Sequence, residues 1–405
     1  MRCLVIAIAT LMLLTACAPS SPTPTSPPSK ATEASAKPAA AESPAASPVA
    51  KPAASPVASP AASPVAATTS QDTAAAVPAR TYNEASVADF YRGKTLSLIV
   101  SSTPGGGYDL YARALARHIG RHVPGNPTVI VQNMPGAGGI VAANNVFGGS
   151  QDGTVFATFS RGMPAEELFG SEGIRFKSNE FHWMGSMNDE VSVCAARTDS
   201  PIKSFDDLYT TEMTVGGTGA GADTDFFPLV LNKLFGTRFR VIGGYPGGNE
   251  VNLGVERGEL HGRCGWSYSS VLSTRPEWFK PPQFMRLLVQ MALRKHPDLP
   301  DVPLVIDLAK TDEQRALARV VFSRQTMGRP FAIPPGVPVD RVAALRTAFD
   351  RTVRDPEFLA EAEKAKMEIN NPSTGEEVQA LVAEILRTPS ELAKKLAAVL
   401  EEAAQ

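Results

Sequence analysis

A dominant charge sign, a membrane-length apolar run and a dense set of metal ligands are all missing from this 405-residue sequence. Its 39 basic and 41 acidic side chains nearly cancel, for a formal charge of -2, so there is no basic field for a phosphate backbone and nucleic acid is excluded as a general partner. After the first dozen or so residues no stretch approaches 18 apolar residues, which argues against a membrane-spanning helix in the mature chain. Histidine is scarce, at five residues. His118 and His122 stand four apart, but with no H-E-x-x-H and no third ligand nearby they read as part of a packed helix face. A G-x-x-x-x-G-K-S/T motif is absent and Gly136-Ala137-Gly138-Gly139 misses the dinucleotide spacing, so nucleotide readings fare poorly and no cofactor or metal is expected.

Aromatic residues are absent from positions 18 to 80, where 21 alanines and 13 of the 34 prolines gather. Variations on Ala-Ala-Ser-Pro-Val-Ala recur there, at Ala45 to Ala50, Ala53 to Ala58 and Ala61 to Ala66. Regular proline blocks helices and ladders, and Ala, Ser and Thr bury too little apolar surface to offset ordering entropy. The segment is expected to be a disordered tether with a reach on the order of 50 Å or more. Before it, Met1 and Arg2 precede the apolar run Cys3 to Leu14, too short to cross a bilayer and suited to a signal-peptide core. Leu14-Thr15-Ala16-Cys17 resembles the bacterial lipobox, which implies a signal peptide over residues 1–16, a lipidated Cys17 and a tether over 17–80. The protein is therefore expected in the cell envelope, anchored by lipid on the periplasmic or extracellular face. Of the four cysteines only Cys194 and Cys264 then remain in the globular part, where a disulfide and two buried thiols are both open.

The globular part, from about Thr81, is built on a recurring pattern. Thr95 to Val100 reads as a strand; Ser102 to Asp109, with three consecutive glycines, leads into a helical segment, Leu110 to Val123. There Leu110, Tyr111, Ala114, Leu115, His118, Ile119 and His122 share a face, with Arg113, Arg117 and Arg121 on another. Thr128 to Gln132, the loop Asn133 to Gly139 and the helix Ile140 to Val146 repeat the unit. A third strand, Val155 to Phe159, ends at Ser160-Arg161-Gly162, and a fourth unit runs from Met213 to Val215 through Gly216 to Ala222 into the helix Phe226 to Phe235. Glycines let the backbone fold back so that unpaired N–H groups at a helix start point into one space, where the helix dipole also favours an anion. Ligands of open α/β sheets bind at the carboxyl ends of strands, so two such loop sets in two halves of the chain imply a cleft that holds a carboxylate.

The order of motifs resembles the periplasmic receptors of tripartite tricarboxylate transporters, also called Bug receptors. The matching stretches are Pro104-Gly105-Gly106-Gly107-x-Asp109 with Ala112-Arg113, Pro135 to Gly139, Asp152-Gly153, Asp199 to Lys203, Leu299 to Pro303, and Pro335 to Pro338. The resemblance implies an α/β, two-lobed periplasmic-binding-protein-like fold (type II), with crossing strands and a cleft between lobes that closes on a small acid. Carried over, the first loop gives Ser102, Thr103, Gly105, Gly106, Gly107, Tyr108 and Asp109, the second Ala137, Gly138 and Gly139, and the third strand end Ser160. Thr218, Gly219, Ala220, Gly221 and Ala222 would close from the other lobe. Asp109 is read as orienting its loop, since like charges repel. Where the family commonly carries acids in a strand, this chain has Leu260-His261-Gly262-Arg263-Cys264-Gly265-Trp266-Ser267, so those acids have no counterpart here.

Arg161 stands where a small residue is usual, and the sharper reading pairs its guanidinium fork with a ligand carboxylate, against a solvated or internally paired arginine. Trp266 and Tyr268 are weighed as a stacking surface against simple core. Gly265 to Ser269 falls one glycine short of the G-x-S-x-G nucleophile elbow, so a serine hydrolase using Ser267 is a weak alternative, with His296 the remaining candidate base. Crossing segments are expected at Val191 to Arg197 and Phe331 to Ile333, giving a first lobe of residues 81–196 plus 330–405 and a second of 197–329. Late helices are signposted by Asp340 before Arg341 to Val353, and by Ser373-x-x-Glu376 before Val378 to Leu386. The expected activity is hinge closure on a small organic acid, a di- or tricarboxylate, aromatic acid or amino acid. The partner implied by the resemblance is a two-component membrane permease; an orphan receptor signalling to a membrane sensor is the competing non-enzyme reading.

Overall fold

The protein is described from a computed structural model. It describes residues 79–389 together with residues 391, 393, 394 and 397, so the expected signal peptide, Cys17 and nearly all of the tether lie outside the described residues. The chain divides after Gln71 into two units, and every helix and strand named below belongs to the second, Asp72–Gln405.

In chain order the first sheet and its helices comprise α1 (Glu84–Tyr91), β1 (Thr95–Val100), α2 (Gly107–Ile119), β2 (Thr128–Asn133), α3 (Ile140–Phe147), β3 (Val155–Thr158), α4 (Met163–Phe169) and β4 (His182–Ser186). The chain then builds a second sheet with β5 (Ser192–Arg197), β6 (Met213–Gly216), α5 (Asp223–Phe235), β7 (Phe239–Ile242), α6 (Gly248–Glu256), β8 (Gly262–Ser267), α7 (Tyr268–Thr274), β9 (Met285–Met291) and α8 (Asp312–Phe322). It returns to the first with β10 (Pro330–Ile333), α9 (Val339–Thr352), α10 (Pro356–Lys364), β11 (Ser373–Thr374) and α11 (Gly375–Leu386).

The first sheet has the order β11-β4-β10-β3-β1-β2, the second β7-β6-β8-β5-β9. In the first, β1 lies parallel to both β2 and β3, with Leu98 opposite Val131 and Phe156. Helices cover both of its faces, which is why TLSLIV reads as nearly continuous apolar sequence. Leu96, Leu98 and Val100 pack with Tyr111, Leu115, Phe331 and Phe349 on one face, while Ile99 joins Ala157, Phe159, Trp183 and Val382 on the other. The edge strand β2 alternates between exposed and half-buried positions. In the second sheet β6 is parallel to β7 and β8, and β5 runs antiparallel to β8 and β9. Every residue of the central strand β8 is buried. Cys194 of β5 and Cys264 of β8 are joined by a disulfide, so of the two alternatives left open by the sequence the bond is the one present.

The crossings differ from the sequence expectation. Ser192 to Arg197 pairs along its length with β8 and β9, so it belongs to the second sheet and the chain leaves the first between Ser186 and Ser192. Phe331 to Ile333 likewise lies in the first sheet, between β3 and β4. The apolar runs VSVCAAR and FAI signal buried strands, and burial alone does not say in which sheet. The segments that cross, about 187–191 and 323–329, hold one another. Met187 N–H donates to Arg329 C=O (3.2 Å), Gly328 N–H to Asn188 C=O (2.9 Å) and Glu190 N–H to Gln325 C=O (2.8 Å).

The late helices pack on the first sheet through β4, as expected. Their starts shift: α9 begins after Pro338, and the capping box of α11 is Thr374 with Glu377, one residue beyond the expected pair.

Candidate functional site

At the carboxyl ends of β1 and β3 in one lobe, and of β6 and β8 in the other, a cavity of about 110 Å³ lies between the lobes. Four helices start on it. Gly106 and Gly107 open α2, Asp223 and Thr224 open α5, Gly247 and Gly248 open α6, and Ser267 and Ser270 stand at the start of α7, all as lining residues. The first amides of a helix have no acceptor inside it and carry the positive end of its dipole, so a cavity ringed by such starts is suited to an anion.

The first loop is held by Asp109. Its buried carboxylate accepts from Gly105 N–H, Arg113 Nε and Asn133 Nδ2, each at 2.8 Å. Burial alone would raise its pKa, but the Arg113 guanidinium, the Gly105 N–H and the Asn133 amide outweigh it and hold the carboxyl below its ordinary value. Asp109 thus orients the loop from behind and does not line the cavity. Gly107 is required by close approach, because a Cβ there would lie 2.0 Å from Ser270 Oγ of the opposite lobe.

Arg161 lines the cavity and is internally paired, the alternative set beside a ligand pair in the sequence. Its Nη2 donates to Asp223, to Ser192 Oγ (2.9 Å) and to Ser267 Oγ (3.2 Å), and its Nη1 donates to Gly328 C=O (3.0 Å). Burial works to lower its pKa, but Asp223, with Tyr108 and Glu190, more than compensates and leaves it raised. Arg324 reaches the same carboxylate from the other side at 2.6 Å and lies over the Phe226 ring. Arg329 meets Glu190 at 3.2 Å, donates to Ser269 and Ser270, and lies 4.8 Å from both the Tyr108 and Tyr111 ring centres.

Arg263 differs. Its Nη1 donates to Gly248 C=O (2.9 Å) and Asn252 Oδ1 (2.6 Å), its face lies 4.6 Å from the Trp266 ring centre, and no carboxylate among the described residues is bonded to it. Burial, with a smaller contribution from Arg275, pulls its pKa down to about 9.

Of the residues expected from the sequence, Ser102, Gly106, Gly107, Tyr108, Gly138, Ser160, Arg161, Thr218, Ala222, Trp266 and Ser267 line the cavity. Thr103, Gly105, Asp109, Ala137, Gly139, Gly219, Ala220 and Gly221 do not. Several of those form the seam where the lobes meet. Gly138 N–H donates to Thr218 C=O at 3.2 Å, and Thr103 Oγ1 donates to Glu250 at 2.9 Å. A Cβ on Gly138, whose φ is +62°, would come within 2.6 Å of Gly219 O and Gly221 N. The Thr218 and Gly219 amides are already taken by Asp225, at 2.7 and 3.0 Å, so they are not free for a ligand. Trp266 is packed by Trp278, Phe279 and the Arg263 guanidinium, and Tyr268 meets the His296 ring, so both are chiefly core.

The hydrolase alternative finds no base at Ser267, whose Oγ receives N–H groups from Arg161 and Arg329, while His296 pairs with Glu368 at 2.8 Å. His118 and His122 bind different carboxylates, Glu361 at 2.8 Å and Asp355 at 2.7 Å, and among the described residues no group of three or more His, Cys, Asp or Glu is placed to hold a metal.

The sequence reading missed Pro246, Gly247 and Gly248, Asp223, Arg329 and the cavity-facing position of Arg263. A signal for the first three exists: Tyr245-Pro246-Gly247-Gly248 follows β7 and precedes α6, repeating the strand, Pro-Gly-Gly, helix order of the first loop. Nothing local marks Arg329, which ends a crossing segment.

The family described as "Tripartite tricarboxylate transporter family receptor" matches residues 112–397. A "UPF0065 protein in the TAR-I ttuE-ttuC' intergenic region" of Agrobacterium vitis is 26% identical over 164 residues, which cover 39% of this chain and 47% of the relative; the match thus spans about half of that protein's length. Among solved structures, the periplasmic binding protein BugD superposes with a TM-score of 0.59 at 19% identity, covering 78% of this chain and 99% of its own. MatC from Rhodopseudomonas palustris with bound malate gives 0.58 at 17%, covering 77% and 99%. At these identities the superpositions establish the two-lobed fold.

Proposed function

Because the chain belongs to the tripartite tricarboxylate transporter receptor family, we propose that it captures a small carboxylate by hinge closure outside the cytoplasm and delivers it to a two-component membrane permease. One observation carries this reading: helix starts from both lobes, α2 on one side and α5, α6 and α7 on the other, open on a single cavity. One carboxylate group of the ligand is assigned to the unpaired first amides of α2, at Gly107 and Tyr108, with Ser102 and Ser160 beside them. The cavity, at about 110 Å³, is smaller than the engineered cavity of about 150 Å³ that admits benzene. A short acid therefore fits better than an aromatic one, and the malate bound by MatC is of that kind.

Closure follows from the same contacts. A ligand touching α2 and α5–α7 together gains its full affinity only when the lobes are shut, and that differential affinity shifts the population to the closed form. The bonds between the crossing segments about 187–191 and 323–329 fix the axis about which the lobes turn. We assign lipidation to Cys17 and reach to the Ala/Pro/Ser segment after it, so that the lobes can meet a permease while tethered. Among the described residues no helix is long and apolar enough to cross a membrane.

A thermal-shift screen of short organic acids tests the reading. A ligand at 100 times its dissociation constant adds about 2.7 kcal/mol, and at least one acid is expected to do so. A screen in which no short acid raises the melting temperature overturns the proposal.

A further inference from the structure

Four guanidiniums surround the cavity or stand directly behind its wall: Arg161, Arg263, Arg324 and Arg329. Among the described residues two carboxylates are bonded to them, Asp223, shared by Arg161 and Arg324, and Glu190, bonded to Arg329. Glu166 acts on Arg324 without a hydrogen bond to it and accepts from Ser171, and Asp225 is taken by the Thr218, Gly219 and Thr224 donors. Arg263 is the one left with neutral partners alone. It is 7% exposed, and the charged group acting most clearly on it is Arg275, which is itself paired with Glu256.

A buried cation without a counter-charge is costly to keep, and a protein that retains one in a ligand cavity holds a place for an anion. Retention here is built in: Asn252 and the Gly248 carbonyl position the guanidinium, Trp266 backs its face, and Gly248 lacks the Cβ that would stand 2.7 Å from Nη2.

We infer that Arg263 is the counter-ion for a second acid group of the ligand, which makes it the residue that selects a short dianionic acid over a mono-acid of the same length. The inference rests on the carboxylate-receptor reading above and adds which side chain reads the distal end. One carboxylate sits at the α2 start in the first lobe; the other enters between Arg263 and the start of α6 in the second. Binding the dianion therefore ties the lobes together through a charge pair that a mono-acid cannot make. Arg161, the obvious arginine by sequence, is already held by Asp223, Ser192, Ser267 and the Gly328 carbonyl, whereas Arg263 has no carboxylate partner among the described residues.

The test is calorimetric titration of the full chain with succinate, malate and glutarate, and with butyrate as the mono-acid of succinate's length. The wild-type protein is expected to bind at least one diacid tenfold or more tighter than butyrate. Arg263→Gln is expected to cut the diacid-over-butyrate preference tenfold or more; Arg263→Lys, which keeps the charge but loses the fork, should retain part of it. The ligand-free melting temperature gives a second readout, because loss of an unpaired buried cation should leave it unchanged or raise it, whereas a purely structural arginine would lower it. Equal binding of butyrate and diacids by the wild type, or a diacid preference that survives in Arg263→Gln, overturns the inference and leaves the receptor reading intact. Failure of every acid to bind the wild type overturns the reading itself, and the inference with it.

Discussion

Two clusters of charge in this molecule follow opposite rules. On the outer face of the first lobe, Arg117 and His118 share Glu361, while Arg121 and His122 meet Asp355 and Glu357. Each arginine there has a carboxylate, and both are substantially exposed. Burial works to raise Asp355, but Arg121, the Glu357 N–H and His122 overcome it and hold the carboxyl far below its ordinary range. In the cleft, by contrast, four buried guanidiniums are served by two carboxylates. A surface can leave charge balance to water and salt, so its pairs are plentiful and individually weak. A water-poor cavity cannot, and its imbalance points to something that arrives from outside.

The largest effect should come from breaking the compensation that the cleft does have. Asp223→Asn leaves Arg161 and Arg324 buried without their shared counter-charge and is expected to cost about 3 to 5 kcal/mol, the range for breaking a buried pair. Urea denaturation measures it, and a loss under about 1 kcal/mol, the size of an exposed pair, would show that Asp223 is not the keystone the geometry makes it.

An intermediate case is His296 with Glu368, a pair that joins the second lobe to the first at 2.8 Å, with the His side chain 11% and the Glu side chain 17% exposed. The hydrogen bond to Glu368 raises the pKa of His296, against a smaller lowering by burial. A raised folded-state value means the charged pair's stabilisation is full below the unfolded pKa of about 6.5 and is lost as pH rises through the folded value. The stability difference between wild type and His296→Gln should therefore be greater at about pH 5.5 than at about pH 8.5. A difference that grows with pH would show that the charged pair contributes nothing to holding the lobes.

The smallest effect belongs to the outer face. Glu361→Gln, which weakens the pairs to Arg117 and His118, should change stability by no more than about 1 kcal/mol. A loss matching that of Asp223→Asn would erase the contrast between the two regions.

Much of the fold was legible because its signals are local. Strands such as TLSLIV and TVIVQN stand out by composition, and glycine marks the breaks after them, so β1, β2, β3 and β6, with the helices after β1, β2 and β6, fall within a few residues of where the sequence puts them, while α4 after β3 was not expected. The start of α2 at Gly107, where Leu110 was expected, has a plain cause: the last glycine and Asp109 already belong to the first helical turn. The helix α5 begins at Asp223 for a similar reason, since its first turn is polar and only later residues show the apolar face. Crossing segments were misplaced because a buried strand carries no mark of the sheet it joins.

The sequence by itself determined the strand–glycine–helix units, the family and the lack of a metal or nucleotide motif, since all three are written in short-range spacing. Only tertiary structure decided that Arg161 is paired with Asp223, 62 residues away, that the Gly138 and Gly219 loops meet each other, and that Arg263 is left with neutral partners. The physical reason is that charge compensation and steric approach depend on distance in space, and in a two-lobed chain that crosses between sheets twice, neighbours in space are far apart in sequence.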